Sequence, residues 1–512
     1  MQPAMNEFVI ELKNLSKSFG NVCANDDITL SIRKGEIMAL VGENGAGKTT
    51  LMKLLFGLLR PDSGDILIHG NKVSPKSPAD TISLGIGMVH QHFMLVPPFT
   101  VTENVILGTE PRQYRIFINE KASRESLKKV SDHYGFNLDP QARIETLGVG
   151  VEQRVEIIKT LYRKASILIL DEPTAVLTPQ ETDELFDMLR QFRSEGKTLL
   201  FISHKLDEVL AISDRVTVMR AGKITGQLDT PQTNKEEIAR LMVGREVILR
   251  VSKEKAQPGN SVLEIKNLYI RNSRKQEAVR GISLHLREGE ILGIAGVEGN
   301  GQTELAEALT GLRPILKGEV LLKGVLINKQ SARQRFDSGL AHIPEDRLQR
   351  GLITEFTLQE NLMLGRHQHP SFQSHGFQNR ENIHKESTRL VKEYDIRPTE
   401  LNRLGRQFSG GNQQKIIVAR ELAKNPVCLV AVQPTRGVDI GAIEFIHRQM
   451  IAARDKGVGV LLISADLSEI LSLSDRIAVI YNGEIMGLLE ASEADERKLG
   501  LMMTGTRLAE SA

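Results

Sequence analysis

Short apolar runs alternate with amphipathic stretches along the chain. Ile37 to Val41, Ser166 to Leu170 and Thr198 to Ile202 are almost wholly apolar and are flanked by polar or glycine positions. Runs of this kind suit parallel strands covered on both faces, because such strands have no solvent face on which polar residues could alternate. Helical stretches such as Glu181 to Ser194 lie between them. Strands and helices in alternation predict an α/β, three-layer fold.

The pattern occurs twice. Glu11-Leu12-Lys13-Asn14-Leu15 returns as Glu264-Ile265-Lys266-Asn267-Leu268, and Gly42-Glu43-Asn44-Gly45-Ala46-Gly47 returns as Gly296-Val297-Glu298-Gly299-Asn300-Gly301. Ser213-Asp214-Arg215 returns as Ser474-Asp475-Arg476. Each copy takes about half of the 512 residues, which predicts domains at 7–248 and 262–508 with a linker at 249–261. The run Val251 to Ser261 is polar and holds Pro258 and Gly259, as a linker should.

Composition narrows the class. Lys and Arg number 66 against 64 Asp and Glu, so a generic nucleic-acid coat is disfavoured. Cys23 and Cys428 are the two cysteines; they cannot build a disulfide framework or a Cys-rich zinc site, and they fit a reducing compartment. Met1 to Leu12 carries Glu7 and Glu11 and no long apolar run, unlike a signal peptide. No stretch approaches ~18 consecutive apolar residues, so any work at a membrane is expected to be peripheral.

Gly42-Glu43-Asn44-Gly45-Ala46-Gly47-Lys48-Thr49 matches the phosphate-binding P-loop in full, between an apolar run and the helix-like Thr49 to Leu58. Its glycines let backbone N–H groups curl around phosphate oxygens, and the helix N-terminus adds a favourable dipole. Lys48 is expected at the β- and γ-phosphates and Thr49 on Mg²⁺. Leu168-Ile169-Leu170-Asp171-Glu172 is an apolar run ending in two acids. Paired carboxylates there repel and resist desolvation, which Mg²⁺ would relieve. Asp171 would hold the metal, directly or through water, and Glu172 would orient or deprotonate the attacking water. Gln91 is a candidate sensor of Mg²⁺ or that water, the alternative being a plain loop amide. His204 is a candidate partner of the γ-phosphate, the alternative being a structural histidine.

The order of these motifs resembles that of an ABC-transporter ATPase subunit. Phe408-Ser409-Gly410-Gly411-Asn412-Gln413-Gln414-Lys415 looks like the family's signature, and Gln433-Pro434-Thr435-Arg436-Gly437 is similar to the tandem subunits of bacterial simple-sugar importers. The run HQHFMLVPPFTVTENVILG, His90 to Gly108, resembles the nucleoside-uptake branch of that group. The resemblance implies two tandem P-loop, RecA-like ATPase domains, each with a helical signature subdomain. It also implies that ATP is the nucleotide and that the halves dock head to tail, each ATP lying between one P-loop and the other half's signature. Thr50 joins the phosphate-binding residues on the same ground. Phe19 fits the position of an adenine-stacking aromatic or, equally, a core aromatic at a strand edge; Tyr269 is a poorer candidate in the second copy.

The copies differ in their chemistry. In the second, Gln302 stands at the lysine position, Glu345 at that of Gln91, Val432 and Gln433 at those of Asp171 and Glu172, and Ala465 at that of His204, while Thr303 survives. In the first, the signature reads Leu147-Gly148-Val149-Gly150, with Gly148 for the serine, and Thr178 stands where the second copy has Asp439. The intact parts therefore sort into one composite site: Lys48, Thr49, Gln91, Asp171, Glu172 and His204 with Ser409, Gly410, Gly411 and Asp439. The other site lacks nearly all its catalytic groups and is expected to bind nucleotide without useful turnover or to stay structural.

The resemblance further implies membrane permease subunits, with Phe93 to Gly108 and Arg347 to Gly365 facing them, an extracytoplasmic solute-binding protein, and a place at the cytoplasmic face of the membrane; no nucleic-acid partner is expected. A ribosome-acting tandem ATPase would carry a longer charged arm between its copies, and a DNA-repair ATPase would need a coiled coil or a zinc insertion.

Overall fold

Each half of the sequence builds the same pair of sheets. The computed structural model describes residues 8–20, 22–43, 45–90, 93–113, 117–136, 138–174, 177, 179–203, 205–244, 246, 253–374 and 377–507. It divides the chain into two compact units, Met1–Val247 and Ile248–Ala512. Asn44, Gln91, Thr178 and His204 lie outside the described residues.

In the first unit a six-stranded sheet runs in the order Lys223–Asp229, Arg215–Arg220, Ile37–Gly42, Thr198–Ile202, Ile167–Asp171 and Ile86–Val89. Its strands are parallel except for the edge strand Lys223–Asp229. All six residues of Ile37–Gly42 are buried, as are all five of Ile167–Asp171 and of Thr198–Ile202. A fully buried Leu or Ile contributes about 1.5–3 kcal/mol, so these strand ends are stiff platforms for the residues that follow. A four-stranded antiparallel sheet, Val22–Arg33, Phe8–Phe19, Ser63–Ile68 and Asn71–Val73, supplies a second layer.

The second unit repeats this order. Its six-stranded sheet reads Glu484–Glu490, Arg476–Tyr481, Ile291–Ala295, Gly459–Ser464, Cys428–Val432 and Leu340–Ile343. In both units the P-loop strand therefore sits third, beside the strand that leads to the histidine position.

A helical part inserts after the strand leading to the Gln91 position. In the first unit Val101–Ile106 packs on Val149–Tyr162 and on Glu120–His133; in the second Leu358–Met363 packs on Gly410–Leu422 and on Arg380–Glu393. The entry helix is capped alike in both, with Thr100 and Glu103 or Thr357 and Glu360 exchanging side-chain-to-backbone bonds.

The structure departs from the sequence pattern at two places. The P-loop helix is Lys48–Leu55, shorter than the expected Thr49 to Leu58, because the chain turns at Gly57 with φ +73°. The expected linker is not a free tether over its described part. Lys253 Nζ donates to Leu473 O at 2.8 Å and Ser474 O at 2.5 Å, and Gly259 N donates to Glu288 O at 2.8 Å, all within the second unit.

Candidate functional site

The first P-loop is shaped by close backbone packing. Gly47 caps helix Lys48–Leu55 with φ +101°, and a Cβ there would lie 2.2 Å from Ala24 O and 2.8 Å from Asn25 Nδ2. Only glycine fits both the backbone conformation and the space. Asn25, fully buried, donates from Nδ2 to Gly47 O at 3.2 Å, and Gly222 N donates to Ala46 O at 3.1 Å.

Lys48 is curled into this loop. Its Nζ donates to Gly42 O at 2.6 Å and Glu43 O at 3.0 Å, and the side chain is buried. Burial pushes the ammonium below the usual lysine range, while the negative charges of Glu172, Asp171 and Glu43 pull it back up. Asp171 ends its strand buried; burial and the adjacent Glu172 carboxylate push its carboxyl up, and Lys48 and Lys53 pull it down. Glu172 follows in the left-handed region at φ +48°, its N–H donating to Ile202 O at 3.0 Å. Lys48, Asp171 and Glu172 thus share one electrostatic neighbourhood. Thr49 is exposed on the first helical turn and Thr50 half-buried beside it.

Nucleotide and Mg²⁺ fit this arrangement. The glycine cradle is too tight for a side chain, the buried cation offers a counter-charge to phosphate, and the two crowded carboxylates are relieved by a divalent cation. Thr49 and Asp171 would hold the metal, which would neutralise phosphate charge. Among the described residues no cluster of three or more His, Cys, Asp or Glu could hold a metal by itself, so the phosphates would complete its ligand set.

Phe19 ends the first strand 49% exposed, with Lys17 Nζ 5.8 Å from its ring centroid. It is not a core aromatic, which leaves its face open to a planar base. Tyr269 is partly buried, with Lys317 Nζ 5.3 Å from its ring.

The second unit presents the intact signature. Exposed Ser409 stands at the N-terminal cap position of helix Gly410–Leu422, its hydroxyl making no capping bond but accepting from Asn412 Nδ2 at 2.9 Å. A Cβ on Gly411 would lie 2.5 Å from Asp439 Oδ2, and Asp439 caps helix Ile440–Asp455 by accepting from Ala442 N at 2.7 Å. Gly411 is thus packed closely against Asp439. In the first unit Gly148 occupies the cap position of Val149–Tyr162 with no side chain to offer.

Three residues support the first-unit site although nothing in the sequence assigned a role to any of them. Asn25 holds the P-loop from strand Val22–Arg33 of the antiparallel sheet, and one asparagine in the mixed polar run VCANDDITLSIR gives little signal. Glu208 accepts from Thr174 Oγ1 at 2.5 Å and from Ser203 Oγ at 3.1 Å, tying the turn after Glu172 to the strand end before His204. Asn104, fully buried, accepts from Val96 N at 2.7 Å and donates to Val96 O and Thr100 O at 3.1 Å each, pinning the segment after Gln91. Glu469 and Asn361 make equivalent bonds in the second unit, so comparing the two halves position by position exposes both pairs. His90 also packs edge-on against Phe56, with centroids 5.9 Å apart, coupling the approach to Gln91 to the P-loop helix.

No helix among the described residues is long and apolar enough to cross a membrane. The ABC transporter family model matches residues 25–175 and again 279–436. The chain is 48% identical over 505 residues to the guanosine import ATP-binding protein NupO of Bacillus subtilis (strain 168), with 99% of both chains covered. It is 46% identical over 505 residues to the nucleoside import ATP-binding protein NupA of Lactococcus lactis subsp. cremoris (strain MG1363), covering 99% of this chain and 100% of that one. The glucose import ATP-binding protein TsgD13 of Haloferax volcanii is 43% identical over 525 residues, with 97% and 96% covered. Two P-loop units, matched twice by the family model and over full length by these relatives, place the chain in the ABC transporter family as a tandem-domain, ATP-hydrolysing subunit.

Proposed function

We propose that this chain powers import of a nucleoside through a separate membrane permease, working at the cytoplasmic face of the membrane with a solute-binding protein outside. The similarity to nucleoside import ATPases, 48% and 46% identical over essentially the whole chain, carries this reading. The glucose relative, 43% identical, favours a monosaccharide as the second reading.

Turnover is assigned to the first P-loop. Lys48 leaves the carbonyls of Gly42 and Glu43 for the β- and γ-phosphates, Asp171 and Thr49 would hold Mg²⁺, and Glu172 orients or deprotonates the attacking water. Gln91 senses the metal or that water, His204 steadies the γ-phosphate, and Phe19 stacks on the base. Ser409, Gly410, Gly411 and Asp439 complete the composite site, as the family resemblance implies. The sorting of intact residues between the halves supports this pairing, since chance loss would not spare one site and empty the other.

The test is uptake of labelled nucleosides and simple sugars in cells carrying the wild-type chain or Lys48→Ala. Loss of nucleoside uptake alone is expected. Loss of sugar uptake alone would move the substrate to the second reading, and unchanged uptake of both would refute the assignment.

A further inference from the structure

The second P-loop has kept its shape while losing its metal acid. Gly301 takes φ +103°, and a Cβ there would lie 2.4 Å from Ala278 O, as at Gly47. Gln302 Nε2 donates to Val297 O at 2.8 Å, the counterpart of the bond from Lys48 to Glu43 O. The backbone cradle for phosphate is therefore preserved by an amide in place of an ammonium. At the end of strand Cys428–Val432 stands buried Val432, which has no oxygen for a cation. The hydroxyl of Thr303 is engaged as well, donating to Glu345 Oε2 at 3.2 Å.

A different cation has been placed at the loop. Arg436 Nη1 lies 2.6 Å from Glu345 Oε1 and 2.9 Å from Oε1 of Glu298, itself a P-loop residue. The arginine is held from behind, because its carbonyl accepts from Arg347 Nη1 at 2.9 Å and the preceding Thr435 donates to Glu469 at 2.8 Å. The side chains of Arg436 and Glu298 are about half exposed, at 52% and 51%. Ion pairs that exposed are strongly screened and cheap to exchange. A guanidinium binds phosphate oxygens in a planar fork and needs no metal to do so.

We propose that the second P-loop binds a nucleoside triphosphate without a divalent cation, Arg436 releasing Glu298 to neutralise the phosphate tail. This rests on the first of the two expectations for that site, nucleotide bound without useful turnover rather than a purely structural role, and it assigns that site's counter-charge. Removing magnesium should then empty the first site and leave the second filled.

The test is equilibrium binding of radiolabelled ATP to the full-length chain, with magnesium or with excess EDTA. The wild-type chain is expected to keep one ATP in EDTA, and Lys48→Ala to keep that same ATP. Arg436→Gln should weaken the EDTA-resistant binding about tenfold or more, the size of one lost charge-assisted hydrogen bond. Arg436→Lys, which keeps the charge, should retain more of it, and an unchanged thermal melt would separate lost binding from lost folding. No EDTA-resistant ATP, or equal binding by Arg436→Gln and wild type, overturns the proposal. Hydrolysis surviving in Lys48→Ala would instead overturn the assignment of turnover to the first site, and the EDTA measurement would still report on Arg436.

Discussion

Lys48→Gln converts the first P-loop into a copy of the second, and the second unit shows what should result. Gln302 bonds Val297 O at 2.8 Å while the loop keeps its left-handed glycine at φ +103°, against +101° at Gly47. A glutamine at position 48 can bond Glu43 O in the same way and removes a buried charge at once. The fold should therefore tolerate the change to within about 1 kcal/mol, or about 2–4 °C in the melt of a unit this size. Hydrolysis should not tolerate it. The ammonium lies between two carbonyls, buried and beside Asp171 and Glu172, where a preorganised charge is worth ~2.7–4 kcal/mol in the transition state. The expected loss is about 10²–10³ in rate or more. Steady-state phosphate release from the purified chain, with a thermal melt in parallel, measures both. Activity within about tenfold of wild type would refute the role of Lys48, and a melt lowered by many degrees would refute the equivalence of the two loops.

Three further outcomes follow from the geometry. Gly411→Ala drives a methyl group to 2.5 Å from Asp439 Oδ2, so it should disturb the cap of helix Ile440–Asp455, cost roughly 0.5–2 kcal/mol and lower ATP hydrolysis; Gly148→Ser, with nothing within 4 Å of its Cβ, should leave both unchanged. Burial pushes the Cys428 thiol up to about 12, so iodoacetamide at pH 8 should label exposed Cys23 in the native chain and reach Cys428 only after denaturation, as read by peptide mass spectrometry. Burial also holds His342 down to about 4 from an ordinary value of 6.5, opposed by Glu421. The unfolded chain then binds the extra proton between those values, so stability of the second unit should fall by roughly 1–3 kcal/mol as pH drops from 6.5 to 4, the ring's partial exposure trimming the effect; His342→Gln should flatten that slope in urea titrations.

Much of the site was legible because its chemistry depends on residue types at fixed short spacing. The P-loop of Gly42 to Thr49 and the acid pair Asp171 and Glu172 are each contiguous, so backbone geometry alone brings together the groups within each. The duplication made the losses at Gln302, Val432, Gln433 and Ala465 visible, since each had an intact counterpart. The strands Ile37–Gly42, Ile167–Asp171 and Thr198–Ile202 were legible for a different reason: burial on both faces confines polar residues to their ends, as at Thr198 and Asp171.

Long-range placement was not legible. Asn25 in the antiparallel sheet bonds Gly47 in the P-loop directly, and Glu208 joins Thr174 to Ser203, bonds that depend on how the layers pack rather than on spacing. Phe19 read equally as core or as exposed until the sheet placed it outside the packed face. Arg436 read as one letter of a motif; only folding put its guanidinium between Glu298 and Glu345, residues far apart in sequence. By itself the sequence determined the two-fold repeat, the strand pattern, the phosphate loop and the loss of catalytic groups from one copy, because these rest on local geometry and residue chemistry. Which charges neutralise one another, and which side chains hold the loops in shape, was decided by the tertiary structure, because electrostatic and hydrogen-bond energies depend on distances that the chain sets only once it is packed.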